Sequence, residues 1–144
     1  MLLTGQWLTV LAAVVFATWA LYVSLVEHPA RLASPAAAAQ AEFRESYRRA
    51  APYQASFSAL SAVAGIVATL MGGGGVWASA GVIVGLAIPF TLIVIMPTTR
   101  RLLGADLPAE SVGTLLTRWG RLHWVRSLLG VLGVAILASR IRLD

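Results

Sequence analysis

Four stretches of this chain are long and apolar enough to cross a lipid bilayer as helices: residues 7–27, 55–71, 76–97 and 119–139. At 1.5 Å rise per residue, about twenty residues cover a ~30 Å hydrocarbon core. Lipid offers the backbone no hydrogen bonds, and a helix satisfies its own. Of the 144 residues, 58% are hydrophobic and only 12% charged, where a soluble domain carries about a quarter. The chain therefore reads as one all-α domain over residues 1–144: an integral membrane four-helix bundle with a short interfacial helix in the first loop. The net charge of +5 does not point to nucleic acid, because the basic residues flank the apolar runs as membrane topology demands. With no cysteine, neither a disulfide framework nor a thiolate metal site is open to it.

Punctuation follows the same plan. The first run closes in Glu27-His28-Pro29-Ala30-Arg31-Leu32, and Pro29 disfavours regular helix beyond it. A secretory leader is the rival reading of this run, but no positive residue precedes it. Pro35 can open a short helix carrying Glu42, Arg44, Glu45, Arg48 and Arg49, with Glu45 and Arg49 a favourable i,i+4 pair. Pro52 and Tyr53 mark the start of the second span. Gly72 to Gly75 form a tight turn, Pro89 should kink the third span, and Pro97-Thr98-Thr99 should end it. Ser61 with Gly65, and Gly81 with Gly85, are small residues four apart; such faces let helices approach closely, within one bundle or between copies in a homo-oligomer.

Four spans place both long loops on one side, with Arg31, Arg44, Arg48, Arg49, Arg100, Arg101, Arg118 and Arg121. The other side has the termini and the glycine turn, with only Arg140 and Arg142. The positive-inside rule puts the loops in the cytoplasm and both termini outside, the expected setting being a bacterial inner membrane. Topology also collects chemistry. Glu27, His28, Arg31, Tyr53, Thr98, Thr99, Trp119, His123 and Arg126 fall at the loop-side ends of the spans. Within the fourth span, Trp119, His123 and Arg126 lie at i, i+4 and i+7 on one face, while Arg121 and Trp124 point elsewhere. Polar groups at such a depth usually have a partner or a task. The two halves are faintly alike, each closing a span with proline, arginine and leucine: Pro29-Ala30-Arg31-Leu32 and Pro97-Thr98-Thr99-Arg100-Arg101-Leu102.

Glu-His-Pro-Ala-Arg closing the first span, Met96-Pro97-Thr98-Thr99 closing the third and Arg118-Trp119-x-x-x-His123-x-x-Arg126 opening the fourth together resemble the anthrone oxygenase-like family of small four-helix membrane proteins. The resemblance covers nearly the whole chain. It implies oxidation of a lipophilic phenolic or quinol-like aromatic with O2, without an organic cofactor, in a pocket at the cytoplasmic helix ends. Where the family often has asparagine after Pro-Thr, this chain has Thr99. On this reading His123 is the base. Glu27 orients it or takes its place, and Arg126 and Arg31 hold the developing anion. Trp119 and Tyr53 supply flat walls, with Thr98 and His28 beside the substrate. Plainer readings stand alongside. Glu27 can simply neutralise Arg31 or Arg126, Trp7, Trp77 and Trp124 fit an interfacial belt, and the whole cluster can be a structural clasp or small-ligand site in a non-catalytic module. A metal at Glu27, His28 and His123 is the enzymatic alternative.

Overall fold

A computed structural model describes residues 1–140; Arg142 and the last part of the basic tail lie outside the described residues. The described residues form four helices, α1 (Leu2–Leu32), α2 (Ala36–Gly73), α3 (Gly75–Leu103) and α4 (Ala109–Ala138), all long and apolar enough to cross a membrane. Each packs on the next, and α4 closes the ring against α1, giving an up-down-up-down bundle. Leu3, Trp7, Leu11, Leu70, Leu92, Ile93 and Leu128 are exposed on its outside, the surface that lipid would cover.

The helices outrun the apolar segments on the loop side. The expected short interfacial helix is not separate: the helix that Pro35 opens continues through Pro52 into the second span. Pro52 is exposed on the helix surface, where water at the headgroup level can satisfy the carbonyl it frees. At 38 residues, α2 is about 57 Å long, nearly twice the hydrocarbon thickness. The fourth span likewise begins ten residues ahead of Trp119, at Ala109.

Pro29 and Pro97 do not end their helices either. A five-residue π turn precedes each, Val23–Glu27 in α1 and Thr91–Ile95 in α3. The wider turn resets the helix, and each proline falls at the start of a fresh α segment, where no N–H donor is required. Both spans carry this arrangement, in keeping with the faint likeness of the two halves. Ahead of Pro89 the regular helix breaks at Leu86. The glycine turn is present, with Gly72 and Gly74 at φ of 91° and 88°.

Inside the ring, small residues and hydroxyls join the helices. A Cβ on Gly65 would stand 2.3 Å from the Trp77 carbonyl oxygen, and one on Gly81 2.3 Å from that of Ser61. The small-residue faces of α2 and α3 are thus filled by each other within one chain. Ser58 donates to the Val84 carbonyl at 2.8 Å and Ser127 to that of Ala20 at 3.0 Å. Two apolar clusters form the core. Phe16, Ala80, Val84 and Leu137 fill the glycine-turn half, and Phe43, Ile95, Leu102, Leu115, Leu116 and Trp119 fill the loop half. Gln40 and Arg44 on the α2 extension fasten the end of α3, Gln40 reaching the Leu102 carbonyl at 3.1 Å and Arg44 the Asp106 carboxylate at 2.8 Å.

Close packing at Gly81 predicts an asymmetry between two Gly→Ala substitutions. G81A, forced against backbone, lowers the melting midpoint in detergent by several degrees. G113A, with no neighbour within 4 Å, leaves it unchanged or raises it slightly, as expected from about 1 kcal/mol of helix propensity.

Candidate functional site

The face predicted for the fourth span is the inner face of α4. Trp119, His123 and Arg126 are 4%, 2% and 5% exposed, while Arg121 and Trp124 lie on the outside. Trp119 and His123 stack with ring centres 4.8 Å apart, and the Phe43 ring from α2 meets Trp119 edge-on at 5.1 Å. The Trp119 indole N–H donates to Thr99 Oγ1 at 3.1 Å. The residue that departs from the family's asparagine therefore still accepts a bond.

His123 is held by two serines. Its Nδ1 lies 3.0 Å from Ser24 Oγ, which lies 2.9 Å from Ser127 Oγ, which donates to the Ala20 carbonyl at 3.0 Å. A carbonyl only accepts, and each hydroxyl has one proton. If Ser127 gives its proton to Ala20, Ser24 must donate to Ser127, and Nδ1–H of His123 must donate to Ser24. The chain of three bonds thus assigns the proton to Nδ1 and leaves Nε2 with a free lone pair. Ser24 reaches this position on the π turn of α1. Glu27 was expected to orient His123; the serine relay does so, and Glu27 ion-pairs with Arg31.

The two buried arginines differ. Arg31 sits between Glu27 and Glu42, donates to Ser46 at 2.9 Å and lies over the Phe43 ring at 5.3 Å. Its charge is matched and its donors are engaged. Arg126 has no carboxylate partner among the described residues. Its Nη2 donates to Gln54 at 2.7 Å, its guanidinium stands 5.7 Å from the centre of Phe16, and its Nε is buried without a partner.

The remaining expected residues are divided. His28 is buried, with its ring centre 5.4 Å from that of Trp119. It fits because α4 has glycine there: a Cβ on Gly120 would be 2.2 Å from His28 Nε2. That nitrogen has no well-formed hydrogen bond, although the Leu116 carbonyl is close by. Thr98 is buried beside Thr99 and forms no side-chain bond. Tyr53 is outside the cluster, 60% exposed and stacked on Trp19 at 6.0 Å. Glu27, His28 and His123 do not come together as a metal-binding group; among the described residues no three His, Asp or Glu side chains do so.

Sequence reasoning missed Ser24, Glu42, Ser46, Gln54 and Ser127. A signal for Gln54 was present. Ala39, Phe43, Gln54, Ser58, Ser61 and Gly65 are all buried, and they fall at helical spacing straight through Pro52, so the stripe ignores the proline.

The cluster encloses little space. The cavity bounded by Glu27, Arg31, Tyr47, Gln54, His123 and Arg126 has about 20 Å³, room for a single water. On the loop side of the cluster Phe43, Leu102, Leu115 and Leu116 pack together, and the space of about 740 Å³ farther along α4, beside Glu110, Thr114, Arg118 and Arg121, is lined by none of the cluster residues. Larger spaces open outward between helices. One of about 760 Å³ lies between α1 and α2 beside Trp19, Glu27 and Tyr53, and one of about 400 Å³ lies between α2 and α3 and reaches Arg126.

Over residues 43–136 the chain matches the family model described as Anthrone oxygenase. Comparison with curated proteins and with solved structures finds no match.

The serine relay predicts a fixed histidine tautomer. In ¹⁵N NMR of the protein in nanodiscs, His123 shows a protonated Nδ1 and a bare Nε2. S24A removes this preference and gives a mixture of tautomers, whereas S34A, on the exposed loop side, leaves it unchanged.

Proposed function

The chain belongs to the anthrone oxygenase family, and on that premise we propose that it is a membrane-embedded oxidoreductase that oxidises a lipophilic phenolic or quinol-like aromatic with O2. The observation that carries this is the pairing, three positions apart on α4, of a histidine whose Nδ1 is held by the serine relay and a guanidinium with no carboxylate partner among the described residues.

An anthrone has a CH2 group conjugated through its rings to a carbonyl. His123 takes a proton from that carbon, and the charge moves largely onto the carbonyl oxygen, where Arg126 holds it. The electron-rich anion reacts with O2 at the former CH2 carbon, and loss of water leaves a second carbonyl. In balance, CH2 and O2 give C=O and H2O: carbon loses four electrons, O2 gains them, and no other reductant is consumed. Trp119 provides a flat wall. Arg31 and Glu27 keep the rim of the site in place, with His28 and Thr98 packed beside it. Tyr53 lies on the outer surface, stacked on Trp19 and apart from these groups. The long loops face the cytoplasm in this proposal.

A second reading has its own observation. Arg31, bound by Glu27 and Glu42, joins α1 to α2 and is a structural clasp. The two readings apply to different arginines and are compatible.

O2 uptake by the protein in nanodiscs with 1,8-dihydroxyanthrone, corrected for spontaneous oxidation, tests the reaction. H123A lowers the rate about 100-fold or more, in the range of a lost general base; an unchanged rate removes His123 from the mechanism. E27Q lowers the melting midpoint and changes the rate less than tenfold, the mark of a clasp.

A further inference from the structure

The small cavity cannot admit an aromatic substrate, and packed side chains lie above it on the loop side. The groove between α2 and α3 offers the other way in. Its volume of about 400 Å³ lies within the about 300–1,000 Å³ usual for small-molecule sites. Ala51, Ala55, Ala87, Ile88, Leu92 and Met96 line it, and Leu92 is 60% exposed on the surface that lipid would cover. The groove follows the irregular part of α3, from the break at Leu86 through the π turn Thr91–Ile95.

Its polar groups are few and distinct. The hydroxyls of Ser58 and Thr91 are spent on the Val84 and Ala87 carbonyls, at 2.8 and 2.6 Å. Arg126 stands at the inner end and exposed Arg48 at the outer rim, neither with a carboxylate partner among the described residues. Arg126 is 5% exposed, with Nε lacking any partner. An unmatched guanidinium at the end of an apolar slot is complementary to a flat hydrophobic body bearing an acidic oxygen. The larger groove between α1 and α2 has no equivalent: Arg49, on its wall, is already paired with Glu45.

We propose that the groove between α2 and α3 is a lateral binding site for a flat, lipophilic molecule with an acidic oxygen, which arrives from within the bilayer and sets that oxygen on Arg126. The choice of an aromatic body rests on the reaction proposed above. Arg126 then serves recognition as well as the anion formed in the reaction, and the same groove delivers substrate to the neighbourhood of His123.

Binding of 1,8-dihydroxyanthraquinone to the full chain in phosphatidylcholine nanodiscs, followed by tryptophan quenching, tests this. A55F fills the groove from its exposed wall and weakens binding at least tenfold. T18F, on the wall of the other groove, leaves it within twofold. The 1,8-dimethoxy ether, with no acidic oxygen, binds the unaltered protein at least tenfold more weakly. Equal binding of the ether, loss of binding in T18F rather than A55F, or no binding of the quinone at all overturns the proposal. Failure of the reaction is distinguishable. Quinone binding that A55F abolishes, in a protein without O2 uptake, leaves the groove and removes the oxidation. O2 uptake untouched by A55F removes the groove and leaves the oxidation.

Discussion

An arginine in the interior of a bundle of apolar helices has to be accommodated, and the loop half of this protein is arranged around how incompletely Arg126 is. Placing arginine mid-span costs roughly 2.5–3.5 kcal/mol on insertion scales. A neighbouring carboxylate is the usual remedy, and Arg31, on the wall of the same small cavity, has two. Arg126 has a neutral amide, an aromatic face and an unused N–H. Neutral partners offset desolvation only in part. In the function proposed above, it is this remaining capacity of the guanidinium that holds the anion.

Delivery of the other groups depends on interrupted helices. The π turn Val23–Glu27 shifts the register of α1 at Ser24, which reaches His123, and Glu27 at its end meets Arg31 one helical turn on. The matching turn in α3 precedes the segment that brings Thr99 under the Trp119 indole. Such single π turns recur at functional positions in helices. Here each is followed by a proline at the start of the next α segment, Pro29 and Pro97. The irregular segments beside the site lie in α1 and α3, while α2 is regular helix over Ala36–Ala68 and α4 over Ala109–Ala138, and these give the frame against which the site is held.

The spans, their order and the inward stripe of α4 were legible because hydrophobic length and 3.6-residue spacing are strong signals. Trp119, His123 and Arg126 needed nothing more. The serines were not legible. A hydroxyl inside an apolar run usually bonds its own helix, as Thr9 does to Gly5 and Thr91 to Ala87, and sequence cannot separate these from Ser24 and Ser127. Tyr53 was assigned to the site because it shares the loop-side depth of the other residues, and depth does not fix direction. With α2 unbroken, Tyr53 and Gln54 are about 100° apart, so burying Gln54 turns Tyr53 outward. Glu42 is exposed, and its reach inward to Arg31 carries no periodic signal. Whether the cluster was open or closed depended on side-chain packing above it, which periodicity does not encode.

The central claim is that the Arg126–Gln54 layer exists to receive a ligand and does not hold the helices together. Replacing a buried polar pair by apolar side chains of similar size is often neutral or stabilising, and a ligand that binds only the folded state raises its melting midpoint. The most direct measurement is the melting midpoint of the Gln54→Leu/Arg126→Leu protein in nanodiscs, with and without 1,8-dihydroxyanthraquinone. The expected result is a midpoint at or above that of the unaltered chain without ligand, and no ligand-induced rise where the unaltered chain shows one. A midpoint many degrees lower without ligand, or a rise that survives both substitutions, would contradict it.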